Sequence, residues 1–162
     1  MHRLFVAFAL YFLAEATACA GALQDANKAV ARRVFADIFN GGRFEVASEI
    51  YAADFVNHGL HRDVGLAEDQ AAARGWKAAF PDLVMHVDQI IAEGDRVCVL
   101  WTGRGTNTGT GNGLPATGRK GELRGMTLWR ISGGRTAVSN VAFASAFSVT
   151  TPRVSFIPSR RT

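Results

Sequence analysis

The chain has 162 residues, which fits one domain, and 48% of them are apolar, which excludes an intrinsically disordered protein. The formal net charge of +4 owes much to three arginines in the last ten residues, and no acidic residue follows Glu122. The central region is nearly balanced in charge and has no basic stripe with interleaved aromatics, so we expect no nucleic-acid partner.

The N-terminal residues have the pattern of a secretory signal peptide. Leu4 to Ala14 is an apolar run too short to span a bilayer, and small residues with cleavage-site spacing follow at positions 16–20. We predict a signal peptide at 1–22 and a secreted or periplasmic protein. An uncleaved anchor or a buried helix is the alternative. Cys19 leaves lipoprotein processing open, and we expect membrane contact only if Cys19 is lipidated.

Apolar residues at spacings of three and four predict three helices in the first half of the chain. The predicted helices are Asp25 to Phe39, Phe44 to Tyr51, and Val64 to Ala79. Pro81 ends the third helix, because proline removes a backbone donor and disfavours helix at the preceding residue. Between the second and third helices, Asp54 to Gly59 is predicted to be an extended connection.

Strand patterns begin after Pro81. The predicted strands are Val84 to Ala92, Arg96 to Thr106, Lys120 to Ser132 and Arg135 to Phe147, with a loop at Asn107 to Arg119. We expect the glycine-rich stretch from Gly103 to Gly118 to be a flexible hairpin loop at a cavity mouth. Three helices before a four-stranded antiparallel sheet indicate an α+β fold, with the helices packed on one face of a curved sheet. We assign this domain to 23–147 and a loose C-terminal tail to 148–162.

The pair Gly133-Gly134 is a two-residue hairpin signal and predicts the register of the last two strands. Pairing continued from this turn sets Trp129 opposite Val138 and Thr127 opposite Asn140. Because side chains alternate along a strand, these residues then share one mostly apolar face. That face is the predicted wall of a pocket.

His58 is the best candidate for acid–base chemistry, because a histidine near its ordinary pKa of about 6.5 exchanges protons at neutral pH. A histidine bonded to a loop carbonyl for structural reasons is the alternative. His58, His61 and Asp63 also suggest a metal cluster, but Gly59 argues against the helical backbone that this ligand spacing requires. We therefore expect no metal.

An ordered set of short motifs carries a family resemblance. The set comprises His58, Phe80-Pro-Asp-Leu83, Glu93-Gly-Asp95, Gly103-Arg-Gly-Thr106 and Pro115-Ala-Thr-Gly118. From about Asn27 to Phe147 the chain resembles the SnoaL-like family, the polyketide or ester cyclases of the nuclear-transport-factor-2-like superfamily. The resemblance implies a cone-shaped α+β barrel around a closed cavity for an apolar, carbonyl-containing small molecule. It also implies a homodimer formed through the exposed sheet face, and aldol cyclisation or isomerisation without cofactor or metal.

This sequence departs from the family pattern where the chemistry should lie. Relatives carry a catalytic carboxylate on the last strand, four residues after a tryptophan, and these positions are Ala144 and Asn140 here. The glutamate that often precedes the tryptophan by two residues is Val138, and the histidine that often follows Gly-Thr is Asn107. Alanine cannot transfer a proton.

Three interpretations follow from these departures. In the first, His58 serves as the base, Thr127 and Asn140 donate hydrogen bonds to a developing enolate oxygen, and Trp101 and Trp129 line the site. In the second, the protein is a non-catalytic secreted module for small-molecule binding or dimerisation. In the third, the C-terminal segment is degenerate. For the two tryptophans, burial in the core is the alternative to contact with a ligand.

Overall fold

The computed structural model of the protein describes residues 21–59 and 62–143. The predictions for the signal peptide at 1–22, for Cys19 and for the tail at 148–162 fall wholly or almost wholly outside these residues, as do those for His61 and Ala144. Within the described ranges, no helix combines the length and apolarity needed to cross a bilayer.

The three predicted helices are present with shifted bounds. Residues 21–33 form helix α1, which continues into a π-helical segment, Val34–Asn40. A 3-10 turn, Phe44–Val46, leads into the short helix α2, Ala47–Ile50, and helix α3 is Leu66–Ala79. Helix α2 is shorter than predicted because the chain is already extended at Tyr51.

The sheet has six strands and not the four that were predicted. The strands are β1 Tyr51–His58, β2 Asp63–Gly65, β3 Val84–Glu93, β4 Arg96–Thr106, β5 Lys120–Ser132 and β6 Arg135–Phe143, in the spatial order β2-β1-β6-β5-β4-β3. The predicted extended connection is part of β1, which pairs antiparallel with β2 and parallel with β6. The sheet is therefore mixed, and because β2 and β3 are its edges, it is not a closed barrel.

The predicted antiparallel meander is confirmed from β3 to β6. Strands β4 and β5 have the predicted bounds, and Ser132 pairs with Arg135 across the two-residue turn. Gly133 and Gly134 have φ values of +55° and +72°, a region that glycine enters without the steric cost that other residues meet there. This local chemistry explains why the hairpin could be located from the sequence.

The predicted register holds at the turn and then fails by one residue. Ile131 pairs with Thr136, but Arg130 pairs with Val138, so that Ala137 is an extra residue in β6. Such a bulge shifts all later pairs by one position, and a one-residue shift exchanges the two faces of a strand. The predicted pairing of Thr127 with Asn140, and that of Trp129 with Val138, is therefore wrong.

The helices and the inner face of the sheet share one hydrophobic cluster. Val34 and Ile38 from the first helical segment are fully buried in it, as are Val97 and Val99 of β4. The ring of Phe35 packs against that of Trp129, with centroids 5.6 Å apart. This packing fixes the helices over the sheet and defines its inner face.

The glycine-rich loop 107–119 is fastened to α3. The side-chain amide of Asn107 donates a hydrogen bond to the carbonyl oxygen of Ala79 at 3.0 Å. A Cβ added at Gly111 would lie 2.0 Å from the carbonyl oxygen of Gly75, so close an approach of loop to helix requires glycine. Gly103, Arg104 and Gly105, at the start of the predicted mouth loop, line the cavity described below, but they belong to strand β4. Residues 107–119 do not line it and form a strap along the helix.

Candidate functional site

A cavity of about 330 Å³ lies between the helices and the inner face of the sheet. Its volume is near the lower end of the range of small-molecule sites, about 300–1,000 Å³. Aromatic rings dominate its wall and include all three tryptophans of the chain: Phe35, Phe39, Tyr51, Phe55, Trp76, Phe80, Trp101 and Trp129. Such a wall favours an apolar ligand.

The cavity reaches the protein surface. Gly59 and Ala72 line it and are solvent-exposed, so they mark its mouth. Arg104 also borders the cavity, but strand alternation turns its side chain to the outer face, where its guanidinium binds Glu122 with Nε and Oε2 2.8 Å apart. The pocket is therefore open on one side and is not the closed cavity that the sequence led us to expect.

Trp101, Thr127 and Trp129 line the cavity. The indole Nε1 of Trp101 donates a hydrogen bond to Oγ1 of Thr127 at 3.0 Å, and both tryptophans are buried, at 6% and 4% exposure. Strand alternation places Thr127 and Trp129 on the same inner face of β5. Whether these side chains contact a substrate stays a prediction.

His58 and Asn140 do not line the cavity. They pair with each other across the parallel strands β1 and β6, and both are exposed. The side chain of His58 is 47% exposed, and its Nδ1 lies 2.7 Å from Oδ1 of Asp63. The structure thus brings these two predicted site residues together on the outer face of the sheet, where they cannot meet a ligand in the pocket.

The metal cluster considered from the sequence stays untested, because His61 lies outside the described residues. Within residues 21–59 and 62–143, no group of three or more His, Cys, Asp or Glu side chains could hold a metal ion. Asp63 pairs with His58 instead, on the exposed edge formed by β1 and β2.

The inner face at β1 and β6 carries different polar groups. Asn57 pairs with Ser139 across these strands, and both residues line the cavity, as does Val141. The extra residue Ala137 in β6 is the reason that Ser139 and Val141, and not Val138 and Asn140, face inward. Nδ2 of Asn57 donates a hydrogen bond to Oδ1 of Asp69 at 2.7 Å.

Asp69 is the one carboxylate among the described cavity-lining residues. It lies in the first turn of α3, where the helix dipole favours a negative charge. Burial nevertheless raises the pKa of Asp69, and the hydrogen bonds from Asn57 and Gln70 offset only part of this rise. Among the described residues, no lysine or arginine forms an ion pair with it.

Tyr51 and Gln70 complete the polar cluster around Asp69. Tyr51 also lines the cavity and is 4% exposed, and burial, followed by the nearby Asp69 charge, raises the pKa of its phenol. Gln70 is 5% exposed, and its Nε2 donates a long hydrogen bond of 3.4 Å to Oδ2 of Asp69. The cluster therefore combines a neutral phenol, two amides and one weakly solvated carboxyl group.

Sequence reasoning missed Asp69 and Asn57. Glu68 and Asp69 are acidic residues in the first turn of a helix, a common and uninformative pattern. The segment Asp54-Phe-Val-Asn-His58 does not alternate apolar and polar residues, so the sequence did not show which of its side chains face inward.

Comparisons with known proteins agree with the fold. The family model for the SnoaL-like polyketide cyclase matches residues 29–141. A proposed SnoaL-like polyketide cyclase from Jannaschia sp. CCS1 is 22% identical, with a TM-score of 0.68 over 75% of this chain and 87% of that one. AclR of Streptomyces galilaeus, a proposed hydroxylase, is 24% identical, with a TM-score of 0.67 over 74% and 79%.

A third solved structure has the same fold. IdmH of Streptomyces antibioticus, a proposed polyketide cyclase, is 24% identical, with a TM-score of 0.64 over 73% of this chain and 91% of that one. At these identities the likeness extends to the fold alone. No functionally curated protein gave a significant match.

Proposed function

Since the family model covers well over half of its residues, this chain belongs to the SnoaL-like polyketide cyclase family, and we propose that it binds an apolar, carbonyl-containing small molecule and acts on it as a cofactor-free cyclase or isomerase. The observation that carries the proposal is the open cavity of about 330 Å³, with aromatic walls and one polar cluster. An apolar pocket with a few convergent polar groups is the usual form of a small-molecule site.

In this proposal the ligand is held mainly by ring contacts. Trp101 and Trp129 provide large flat surfaces, and the hydrogen bond from Trp101 to Thr127 fixes one of these rings. His58 and Asn140 have no part in the proposed site, because both face outward.

The proposed reaction needs only a group that moves a proton. A base removes a proton from the carbon beside a carbonyl, and the resulting enolate carbon attacks a second carbonyl carbon to form the new C–C bond. The proton then goes to the oxygen of the attacked carbonyl, which completes an aldol ring closure. In an isomerisation the proton returns to a different carbon. Neither reaction changes the oxidation state overall, so no redox cofactor is required.

The proposal is tested by titrating the protein with an aromatic polyketide methyl ester. All three tryptophans line the cavity, so their intrinsic fluorescence should change saturably as the ester binds. Chromatography with mass spectrometry then follows conversion to a cyclised product. Failure to observe saturable binding across a panel of such esters would count against a ligand site here.

A non-catalytic binding module is the second candidate, and Ala144 favours it. This position holds the family carboxylate in relatives, and alanine cannot transfer a proton. Saturable binding without conversion of any ester in the panel would support this candidate. Ala144→Asp provides a further discriminator, because restoring the carboxylate should raise turnover only if the pocket is otherwise competent.

We also propose a homodimer formed through the outer face of the sheet. Leu100 and Met126 pair directly across β4 and β5 and are 39% and 41% exposed, and Leu128 on the same face is 36% exposed. Adjacent exposed apolar side chains on neighbouring strands form a patch that association would remove from water. A twofold arrangement would place the same patch of each protomer at the interface.

The proposal includes export from the cytoplasm. The apolar run at Leu4 to Ala14 and the small residues after it support a cleaved signal peptide at 1–22. Mass spectrometry of the intact, natively produced protein tests this directly. A mass that includes residues 1–22 would refute cleavage, whereas a lipid adduct on Cys19 would show lipoprotein processing.

A further inference from the structure

We propose that Asp69 is the catalytic proton-transfer group of this protein, acting from helix α3 in place of the carboxylate that relatives carry at the position of Ala144. The inference rests on the proposed function, because it assumes that the substrate occupies the cavity. It assigns the acid–base role to a helix in place of the last strand. The supporting observations are the placement of Asp69, its hydrogen bonds and its surroundings.

The two carboxyl oxygens of Asp69 have different environments. Oδ1 accepts a short hydrogen bond of 2.7 Å from Nδ2 of Asn57, which fixes the orientation of the carboxyl group. Oδ2 receives only a long contact of 3.4 Å from Nε2 of the adjacent Gln70. Oδ2 is therefore the oxygen that is free to take a proton from a bound molecule, and Asp69 lines the cavity in which that molecule would lie.

The surroundings of Asp69 make its carboxylate more basic than one in water. Burial raises the pKa of Asp69, and the bonds from Asn57 and Gln70 offset only part of the rise. The other ionisable residues lining the cavity are Tyr51 of β1 and Arg104 of β4. The phenol of Tyr51 stays neutral, and the guanidinium of Arg104 is paired with Glu122 on the outer face of the sheet. No cation in the described wall therefore neutralises the Asp69 charge.

The amides beside Asp69 suit both of its protonation states. Within the described residues, the buried oxygens Oε1 of Gln70 and Oδ1 of Asn57 have no hydrogen-bond partner. When Asp69 is ionised, Nε2 of Gln70 faces Oδ2. When Oδ2 carries a proton, rotation of the Gln70 amide would offer Oε1 as its acceptor.

The role of Asp69 as a base can be tested with a model compound, so the natural ligand need not be known. In 5-nitrobenzisoxazole, a base removes the proton on C3, the C–H electron pair forms the third C–N bond of a nitrile, and the N–O bond breaks. The proton goes to Oδ2 of Asp69 and the product is a coloured cyanonitrophenolate. No oxidant or other reactant takes part. The reaction needs only a carboxylate in an apolar site that the small aromatic probe can enter.

The experiment compares elimination rates for the wild-type protein, Asp69→Asn and Glu68→Gln. Loss of a general base commonly reduces a rate by about 10²–10⁴-fold, so Asp69→Asn should fall close to the buffer rate. Glu68→Gln is the matched control, because Glu68 is an exposed carboxylate on the same turn of α3, paired with Arg62. This variant should keep the wild-type rate.

A pH profile distinguishes a base from a residue that merely supports the fold. The rate should rise through a midpoint above the ordinary aspartate value of 3.8, because burial raises the pKa of Asp69. Asn57→Ala removes a hydrogen bond that lowers this pKa, so its midpoint should move to higher pH than that of the wild type. An unchanged midpoint in Asn57→Ala would contradict the assignment of the titrating group.

Quenching of tryptophan fluorescence by the probe reports binding independently of turnover. Saturable quenching in Asp69→Asn, together with loss of its rate, supports Asp69 as the base. Equal rates in Asp69→Asn and wild type would overturn the inference while leaving the cavity as a binding site. Absence of saturable quenching in the wild type would instead contradict the proposed function itself.

Discussion

Filling the cavity from α3 should stabilise the protein and block its site. Ala73 lies on this helix, lines the cavity and is 4% exposed. Ala73→Leu adds three carbon atoms, and the cavity of about 330 Å³ leaves room for them without displacing the surrounding wall. Any ligand would have to share the remaining space with the new side chain.

The expected gain in stability follows from apolar burial. Three added groups at about 0.8 kcal/mol each give about 2.4 kcal/mol, and the lost rotamer freedom of leucine costs about 0.5–1 kcal/mol. Ala73→Leu should therefore raise the free energy of unfolding by about 1.5 kcal/mol. For a domain of this size the midpoint of thermal unfolding, Tm, should rise by roughly 5 °C.

The assay combines chemical denaturation, thermal unfolding and titration with 5-nitrobenzisoxazole. Ala71→Leu is the matched control, because Ala71 is exposed on the same helix and does not line the cavity. The control should leave probe affinity unchanged, whereas Ala73→Leu should weaken it at least about tenfold. A lower stability for Ala73→Leu would refute the reasoning, since overpacking of a site already filled costs about 1–3 kcal/mol.

Three further changes test other parts of the structure. Ser139→Trp should fill the cavity and weaken probe binding at least tenfold, whereas Asn140→Trp should change probe binding by less than twofold. Stronger weakening by Asn140→Trp than by Ser139→Trp would contradict the bulge at Ala137 and support the register without it. The hydrogen bond from Arg33 holds the pKa of Asp37 below 3.8, so this carboxylate stabilises the fold above that pH. Asp37→Asn should unfold at lower denaturant concentration than wild type at pH 7. The difference between the two unfolding midpoints should become smaller below about pH 4, where the Asp37 carboxylate becomes protonated, and a constant difference would contradict this account. Leu100→Lys, on the outer sheet face, should convert a homodimer to a monomer in light scattering, and a monomeric wild type would disprove the dimer.

Local sequence features were sufficient to predict the antiparallel meander of strands β3 to β6. Strands β4 and β5 could be bounded correctly because their ends coincide with glycine-containing turns and loops, and their apolar centres are continuous. Strand β1 was missed because what makes it a strand is remote in sequence. Its parallel partner β6 lies about 80 residues further along the chain, and no local signal identifies that pairing.

The bulge at Ala137 could not be predicted from the sequence pattern, for a related reason. Its neighbours pair normally, and nothing in the composition of β6 marks one residue as extra. Yet this single residue decides that Ser139 faces the cavity and Asn140 faces outward. The predicted site consequently combined residues from two faces of the sheet, with Thr127 and Trp129 on the inner face and Asn140 on the outer.

The raised pKa of Asp69 results from two opposing effects whose balance favours proton transfer. The dipole of α3 stabilises a carboxylate in its first turn by about 0.3–1 kcal/mol, and each pKa unit corresponds to about 1.4 kcal/mol. The dipole alone would thus lower the pKa by less than one unit. Burial raises the pKa by more than the hydrogen bonds from the two amides lower it. A helix that begins at the wall of an apolar cavity can therefore present a carboxylate with a raised pKa, and this is the basis on which we propose that α3 supplies the base in place of the last strand.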